Sequence, residues 1–107
     1  MIRQISPAEL RDRLLGAENA PFLLDVREPQ EFAYCRIEGA VSIPLGQLPA
    51  RAHELPAGRE IVAICHHGMR SLQAASFLRQ QHGLDVLNLQ GGVAAWARDV
   101  DPAMKQY

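Results

Sequence analysis

Short apolar runs alternate along this chain with segments that are patterned as helices, and this alternation limits the fold more than any other feature. The runs at residues 22–26, 61–64 and 86–89 are predicted to be strands, and shorter strands are predicted at 2–5 and 41–43. Continuous apolar runs of this length are typical of strands buried on both faces. Strands that alternate with helices need crossover connections, which favour parallel pairing. We therefore predict an α/β fold: a small, mainly parallel sheet of about five strands with helices on both faces.

The first helix has the strongest start signal. Ser6, Pro7 and Glu9 form a capping box, in which Ser6 is the N-cap, Pro7 takes the first helical position and Glu9 reaches back to the Ser6 amide. The inward face of this helix is predicted to carry Leu10, Leu14 and Leu15.

Four further helices are predicted after the second strand. They are a short helix at 28–32, a weak one at 45–55 interrupted by Pro49, the main helix at 71–81 stopped by Gly83, and a last helix at 93–98 carrying Trp96. The inward face of the main helix is predicted to comprise Ala74, Phe77, Leu78 and Gln81.

Length and charge exclude several classes of function. The 107 residues suit a single domain, 1–107, and the formal net charge of −1 comes from 11 basic and 12 acidic residues. A surface balanced in this way is not expected to bind nucleic acid or an anionic membrane. It also gives no reason for an obligate dimer, so we predict a monomer.

The cysteines and the first residues indicate the compartment. There are two cysteines, Cys35 and Cys65, and no CxxC motif, so a disulfide framework is not predicted. The first ten residues lack the apolar core of a signal peptide, and no stretch approaches the ~20 apolar residues of a membrane span. We expect a cytoplasmic protein with reduced thiols.

Cofactor and metal sites are not predicted. Neither a GxxxxGK[ST] nor a GxGxxG motif occurs. The adjacent Cys65, His66 and His67 are spaced too closely for a zinc site, in which ligands usually lie two or more residues apart.

The candidate site lies where the central strand at 61–64 ends in Cys65. In open parallel sheets, ligands bind beyond the carboxyl ends of the strands. Asp25, Val26 and Arg27 lie at the corresponding end of the strand at 22–26. The loop after Cys65 contains Gly68, which suits a tight turn with positive φ, and runs into the main helix.

Such a loop favours negative charge at its centre, because amide N–H groups and the start of the following helix point there. The helix end alone contributes about 0.3–1 kcal/mol, so strong ionisation of a thiol also needs the loop amides and Arg70. We interpret Cys65 as a nucleophile in a partly open, electropositive amide cradle. The alternative is that Cys65 is a small buried hydrophobic residue.

Four segments together resemble one known family. CHHGMRS, from Cys65 to Ser71, resembles the active-site loop of the rhodanese (sulfurtransferase) family. LLDVREPQEF, RIEGAVSIPL and LQGGVAAW resemble its other landmarks in the family's order, over about residues 23 to 96. The resemblance implies a rhodanese fold in which Cys65 carries sulfur as a persulfide. It implies a substrate-binding cradle formed by His66, His67, Gly68, Met69, Arg70 and Ser71, with Asp25 and Arg27 in a supporting role.

The resemblance also implies a reaction. Cys65 is expected to take sulfur from thiosulfate or a similar donor and to pass it to cyanide, a thiol or a protein acceptor by a ping-pong mechanism. The spacing from Cys65 to Arg70 is C-x4-R. Related phosphatases and arsenate reductases resemble C-x5-R, so the shorter loop favours sulfur transfer. Two further alternatives are a rhodanese-like binding module without turnover and a redox-signalling module that uses both cysteines.

Departures from the family pattern leave some roles open. Cys35 and Arg36 stand where the family often has Gly and His. Cys35 is either a tolerated small residue or a second thiol that resolves the persulfide. His66 and His67 either orient substrates or are solvated. Because the loop contains no lysine, its fixed charge rests on Arg70, and thiosulfate is then a test donor and not the physiological one.

Overall fold

Five parallel strands form one sheet in the computed structural model, which describes residues 1–16 and 18–107. The spatial order is β1-β5-β4-β2-β3, and every neighbouring pair is parallel. The strands are β1 (Gln4–Ile5), β2 (Phe22–Asp25), β3 (Val41–Ser42), β4 (Ile61–Ile64) and β5 (Val86–Leu89). The helices are α1 (Pro7–Leu15), α2 (Pro29–Tyr34), α3 (Leu48–Arg51), α4 (Met69–His82) and α5 (Gly92–Asp99). The predicted α/β fold with a parallel sheet is confirmed.

Helices cover both faces of the sheet because successive strand residues point to opposite sides. In the register of β2 against β4, Leu24 pairs with Ala63 and Leu23 with Val62. One apolar layer therefore contains Leu24 and Ala63 with Leu48 of α3 and Leu78 of α4. The other layer contains Leu23, Val62, Leu10 of α1 and Trp96 of α5.

The start of α1 confirms the capping box. The Glu9 amide donates to the Ser6 hydroxyl oxygen at 3.1 Å, and the Ser6 amide donates to the Glu9 carboxylate at 3.2 Å. Leu10 is buried and Leu14 packs on the edge of the same layer. The prediction for Leu15 is wrong, because this side chain is 78% exposed. One residue turns the helix by about 100°, which carries Leu15 past the face set by the other two.

Two other helix predictions need correction. The predicted helix at 45–55 consists of a 3₁₀ turn (Leu45–Gln47), α3 and a second 3₁₀ turn (Ala52–Glu54). The main helix α4 begins at Met69, two residues before its predicted start at Ser71, and Gln81 is exposed. Its predicted stop is confirmed, since Gly83 has φ of 63° and caps the helix end.

The sheet brings the ends of its strands to one edge. The carboxyl ends of β2, β4 and β5 are neighbours there, so Asp25 at the end of β2, Cys65 after β4 and the turn at Gly91 after β5 belong to adjacent strands. Among residues 1–16 and 18–107, no helix combines the length and the apolar character needed to cross a bilayer.

Candidate active site

Cys65 follows β4 directly and lies inside the loop that leads to α4. Its side chain is only 1% exposed, so the expectation of a partly open thiol is wrong. The Gly68 amide donates to Sγ at 3.1 Å, and Ser71 Oγ lies 3.2 Å from Sγ. The sulfur is therefore buried against the apolar layer on one side and contacts two polar groups, the Gly68 amide and the Ser71 hydroxyl, on the other.

Gly68 makes the tight turn that brings its amide under the sulfur. It is the N-cap of α4 and has φ of 100°, a left-handed conformation in which a side chain is strained. A Cβ here would also lie 3.3 Å from the Gly91 nitrogen and 3.4 Å from the Leu89 carbonyl oxygen. Both restrictions explain why glycine occupies this position.

The first turn of α5 holds the outer side of the loop. The Val93 amide donates to the Cys65 carbonyl oxygen at 2.9 Å, and the Ala94 amide donates to the His66 carbonyl oxygen at 3.1 Å. A trans peptide points its N–H opposite to its C=O. The amides of His66 and His67 therefore point away from α5.

Asn88 is a site residue that the sequence reasoning missed. It lies on β5, is 1% exposed, and its Oδ1 lies 2.5 Å from Ser71 Oγ. Its Nδ2 donates to the Gly68 carbonyl oxygen at 3.0 Å and to Gln4 Oε1 at 2.9 Å. The available signal was an amide in the otherwise apolar run VLNL, since a buried polar side chain needs hydrogen-bond partners.

Arg70 is paired with an acid from another element. It forms two hydrogen bonds to the Glu31 carboxylate of α2, at 2.7 and 3.0 Å. These bonds lower the pKa of Glu31 to about 2 and raise the pKa of Arg70 above its ordinary value. The sequence analysis placed the fixed positive charge of the loop on Arg70. The structure shows that this charge is balanced by Glu31.

Asp25 and Arg27 form a fully buried ion pair behind the loop, with Arg27 Nη2 2.7 Å from Asp25 Oδ2. Arg27 also donates to the Cys35 carbonyl oxygen at 2.6 Å and to Tyr107 Oη at 2.9 Å. Burial alone would lower the pKa of Arg27, but the hydrogen bonds that Arg27 donates to Asp25 and Tyr107 outweigh it and raise the pKa. The pair ties the end of β2 to the end of α2 and to the last residues of the chain.

The imidazole ring of His66 packs against two other rings, those of Tyr107 and His67. Tyr107 stacks on it with ring centroids 3.9 Å apart and planes 10° apart, and His67 lies 3.9 Å away on a tilted plane. Tyr107 Oη donates to Glu31 Oε2 at 2.8 Å. Burial, followed by the neighbouring His67, lowers the pKa of His66, which favours a neutral imidazole. Met69, in contrast, is exposed.

Possible metal ligands and the state of the two cysteines bear on the chemistry of the site. Within the part of the chain that the structure describes, no group of three or more His, Cys, Asp or Glu side chains is arranged to hold a metal ion. Both cysteines are free thiols, and Cys35 Sγ lies 3.7 Å from Arg27 Nη1.

A buried cysteine at the carboxyl end of a parallel strand, with a glycine amide directed at its sulfur, defines a class of site that can stabilise a charged sulfur. Comparisons with known proteins narrow this class. Residues 6–99 match the family model described as rhodanese-like domain. The chain belongs to the rhodanese-like family.

The relatives agree with this assignment. A sulfurtransferase of Allochromatium vinosum is 41% identical over 98 residues, covering 92% of this chain and 91% of the relative. A thiosulfate sulfurtransferase of Pseudomonas aeruginosa is 33% identical, covering 94% of this chain and 88% of the relative. The crystal structure of a rhodanese-related protein from Thermoplasma volcanium superposes with a TM-score of 0.83 at 33% identity, covering 92% of this chain and 93% of that one. Together they support a role in sulfur transfer.

Proposed function

We propose that this protein is a sulfurtransferase that carries a sulfane sulfur as a persulfide on Cys65. The donor is thiosulfate or a similar small molecule, and the acceptor is cyanide, a small thiol or a protein thiol. The observation that carries the proposal is the Gly68 amide directed at Cys65 Sγ at 3.1 Å, at the carboxyl end of the central strand. A thiol that served only for packing would not need this donor.

The two half-reactions balance around one sulfur atom. The Cys65 thiolate attacks the outer sulfur of thiosulfate, the S–S bond of the donor breaks, and sulfite leaves with the bonding electrons. The product is a Cys65 persulfide. A thiolate or cyanide then attacks the outer sulfur, the S–S bond of the persulfide breaks, and the Cys65 thiolate is restored. The enzyme alternates between two stable forms, so ping-pong kinetics are expected.

The loop supplies donors for the charge on the outer sulfur. Met69, Arg70 and Ser71 are the first three residues of α4, and their amides have no acceptor within the helix. The amides of His66 and His67 point away from the α5 helix that holds the preceding carbonyls. Amides fixed before the reaction stabilise developing charge without a reorganisation cost. In this loop, which contains no lysine, these amides are the donors that stabilise the charge of the outer sulfur.

The pairing of Arg70 with Glu31 bears on the donor. Thiosulfate carries two negative charges, and the single cation of the loop is already bound by two hydrogen bonds to a carboxylate. Attraction of a dianion is therefore weak at this site. We expect thiosulfate to load Cys65 slowly, and a donor of lower charge to load it faster.

Intact-mass measurement tests the function directly. The wild-type chain should gain about 32 Da after exposure to thiosulfate, the mass of one added sulfur on a cysteine. The gain should persist in Cys35→Ser and disappear in Cys65→Ser, and addition of cyanide should remove it with formation of thiocyanate. A gain that survives in Cys65→Ser would refute the assignment. Hydrolysis of an aryl phosphate without any mass gain would instead support the phosphatase alternative.

A further inference from the structure

The side-chain amide of Asn88 has a fixed orientation. Its Nδ2 lies within hydrogen-bond distance of two oxygens, the Gly68 carbonyl at 3.0 Å and Gln4 Oε1 at 2.9 Å. A backbone carbonyl can only accept, so the nitrogen of the amide must face it. The other side of the amide, Oδ1, therefore faces Ser71 Oγ at 2.5 Å.

This orientation decides where the single hydroxyl hydrogen of Ser71 lies. Ser71 Oγ has two close neighbours, Asn88 Oδ1 at 2.5 Å and Cys65 Sγ at 3.2 Å. Asn88 Oδ1 can only accept, so it takes the Ser71 hydrogen. Ser71 Oγ is then left as an acceptor, and Cys65 must be the donor. The arrangement is that of a neutral thiol whose S–H points to Ser71.

Ionisation of Cys65 disturbs this chain of bonds. A thiolate has no hydrogen to donate and carries a full negative charge on Sγ, so the Ser71 hydroxyl must turn its hydrogen toward the sulfur. Asn88 Oδ1 then loses its donor, and Asn88 is buried with no access to water. A buried acceptor without a partner is costly, which opposes ionisation. In a persulfide the charge lies on the outer sulfur, so Ser71 can keep its bond to Asn88.

We propose that Asn88 is a positioning residue that acts through Ser71: it holds the serine hydroxyl away from Cys65, keeps the empty sulfur protonated, and so favours the sulfur-loaded form over the empty thiolate. The part that concerns loading rests on the proposed sulfurtransferase function. The part that concerns protonation does not depend on that function.

No charge changes when Asn88 is replaced by leucine. The titratable and charged groups around the loop are His66, His67 and Arg70 on the loop itself, Glu31 from α2, the Asp25–Arg27 pair from β2 and Tyr107. All of them remain in Asn88→Leu. A change in the ionisation of Cys65 in this variant therefore reports the hydrogen bonds and not a new electrostatic field.

The test measures ionisation of Cys65 by the ultraviolet absorbance of the thiolate, in a Cys35→Ser background so that one thiol reports. Asn88→Leu frees the Ser71 hydroxyl to donate to the sulfur. The midpoint of the titration should fall by about one pH unit, the size expected for one recovered hydrogen bond. In a Ser71→Ala background the same replacement should move the midpoint little, since the intermediary is gone. Gln4→Leu, which removes the other partner of the Asn88 amide, should leave the midpoint unchanged.

Several results would overturn the proposal. A midpoint that stays or rises in Asn88→Leu would show that Asn88 only supports the loop. An equal shift with and without Ser71 would show that Ser71 is not the intermediary. If Asn88→Leu does not fold, Ser71→Ala alone decides, because a serine that donates to the thiolate predicts a raised midpoint and our proposal predicts no rise.

Loading is tested separately. At a fixed ratio of thiosulfate to sulfite, and at a pH above the titration midpoints of both chains, the equilibrium ratio of persulfide to free Cys65 in Asn88→Leu should fall about tenfold, which corresponds to the shift of one pH unit. An unchanged ratio despite a lowered midpoint would refute the effect on loading. If the wild-type chain takes up no sulfur, the proposed function fails, and the comparison of midpoints still decides the role of Asn88.

Discussion

Gly92 is the point at which α5 touches the loop that carries Cys65, and its replacement by alanine gives the sharpest test of how that loop is held. Gly92 has φ of 61°, a left-handed conformation. A Cβ at this position would lie 2.5 Å from the His66 carbonyl carbon and would also collide with the Cys65 carbonyl oxygen. Ordinary contacts begin near 3.4 Å, so the loop must move by about 1 Å.

The cost can be divided into two contributions. The left-handed conformation costs an alanine about 1 kcal/mol. Displacement of the loop breaks the bonds from the Val93 and Ala94 amides to its carbonyls, which adds a net loss of about 2 kcal/mol. We expect urea unfolding to show a total loss of about 3 kcal/mol. A misplacement of about 1 Å at a reacting atom can lower kcat/KM about 100-fold, which thiocyanate formation would measure.

Gly83→Ala is the matched control. Gly83 has φ of 63° at the end of α4, and a Cβ there would meet no atom within 4 Å. This variant should lose about 1 kcal/mol of stability with unchanged kcat/KM, since only the conformational cost applies. If Gly92→Ala keeps the activity of Gly83→Ala, the contact between α5 and the loop does not position Cys65, and the argument from the held carbonyls fails.

Three further outcomes follow from the paired charges. Arg27→Met should lower the free energy of unfolding by about 3–5 kcal/mol, because it leaves Asp25 buried without a partner. Arg51→Met, at an exposed pair screened by water, should cost much less, and equal losses in urea would contradict this reasoning. Glu31→Gln should raise kcat/KM for thiosulfate about fivefold, or about 1 kcal/mol, because it frees the charge of Arg70. High salt should abolish this rise, and no rise at low salt would mean that the pairing does not limit the reaction with thiosulfate. The pKa of Glu31 is lowered from 4.5 to about 2 on folding, so its contribution to stability is complete above pH 4.5 and is lost as the pH falls toward 2. The free energies of unfolding of wild type and Glu31→Gln should therefore converge over this window, and a constant difference would contradict the pairing.

The fold was predictable because its signals are local. The run at 61–64 is apolar throughout, and β4 occupies those residues at the centre of the sheet. The capping box at Ser6 and the glycine stop at Gly83 were also read correctly, since each depends on hydrogen bonds and backbone conformation within a few residues. The errors concern the width of an apolar helix face, which does not include Leu15, and the first residue of a helix, which is Met69 for α4.

The position of Cys65 in the fold was predictable, whereas its surroundings were not. The contacts of the site join residues far apart in the chain: Glu31 with Arg70, and Asn88 with Ser71. Pairing of this kind depends on which strands and helices are neighbours in space, and the order of the sheet is not visible in any one segment. The same reason explains why the pairing of Arg70 with Glu31 could not be predicted from the loop alone.

The burial of Cys65 has a consequence for what can react there. With 1% of Cys65 exposed, its sulfur can be approached only by a slender group. A terminal sulfur, bonded to one neighbour, meets this requirement, whereas each sulfur of an ordinary disulfide is bonded to a carbon as well as to the other sulfur. We therefore expect Cys65 to react with donors that present a terminal sulfur and to take little part in general thiol–disulfide exchange.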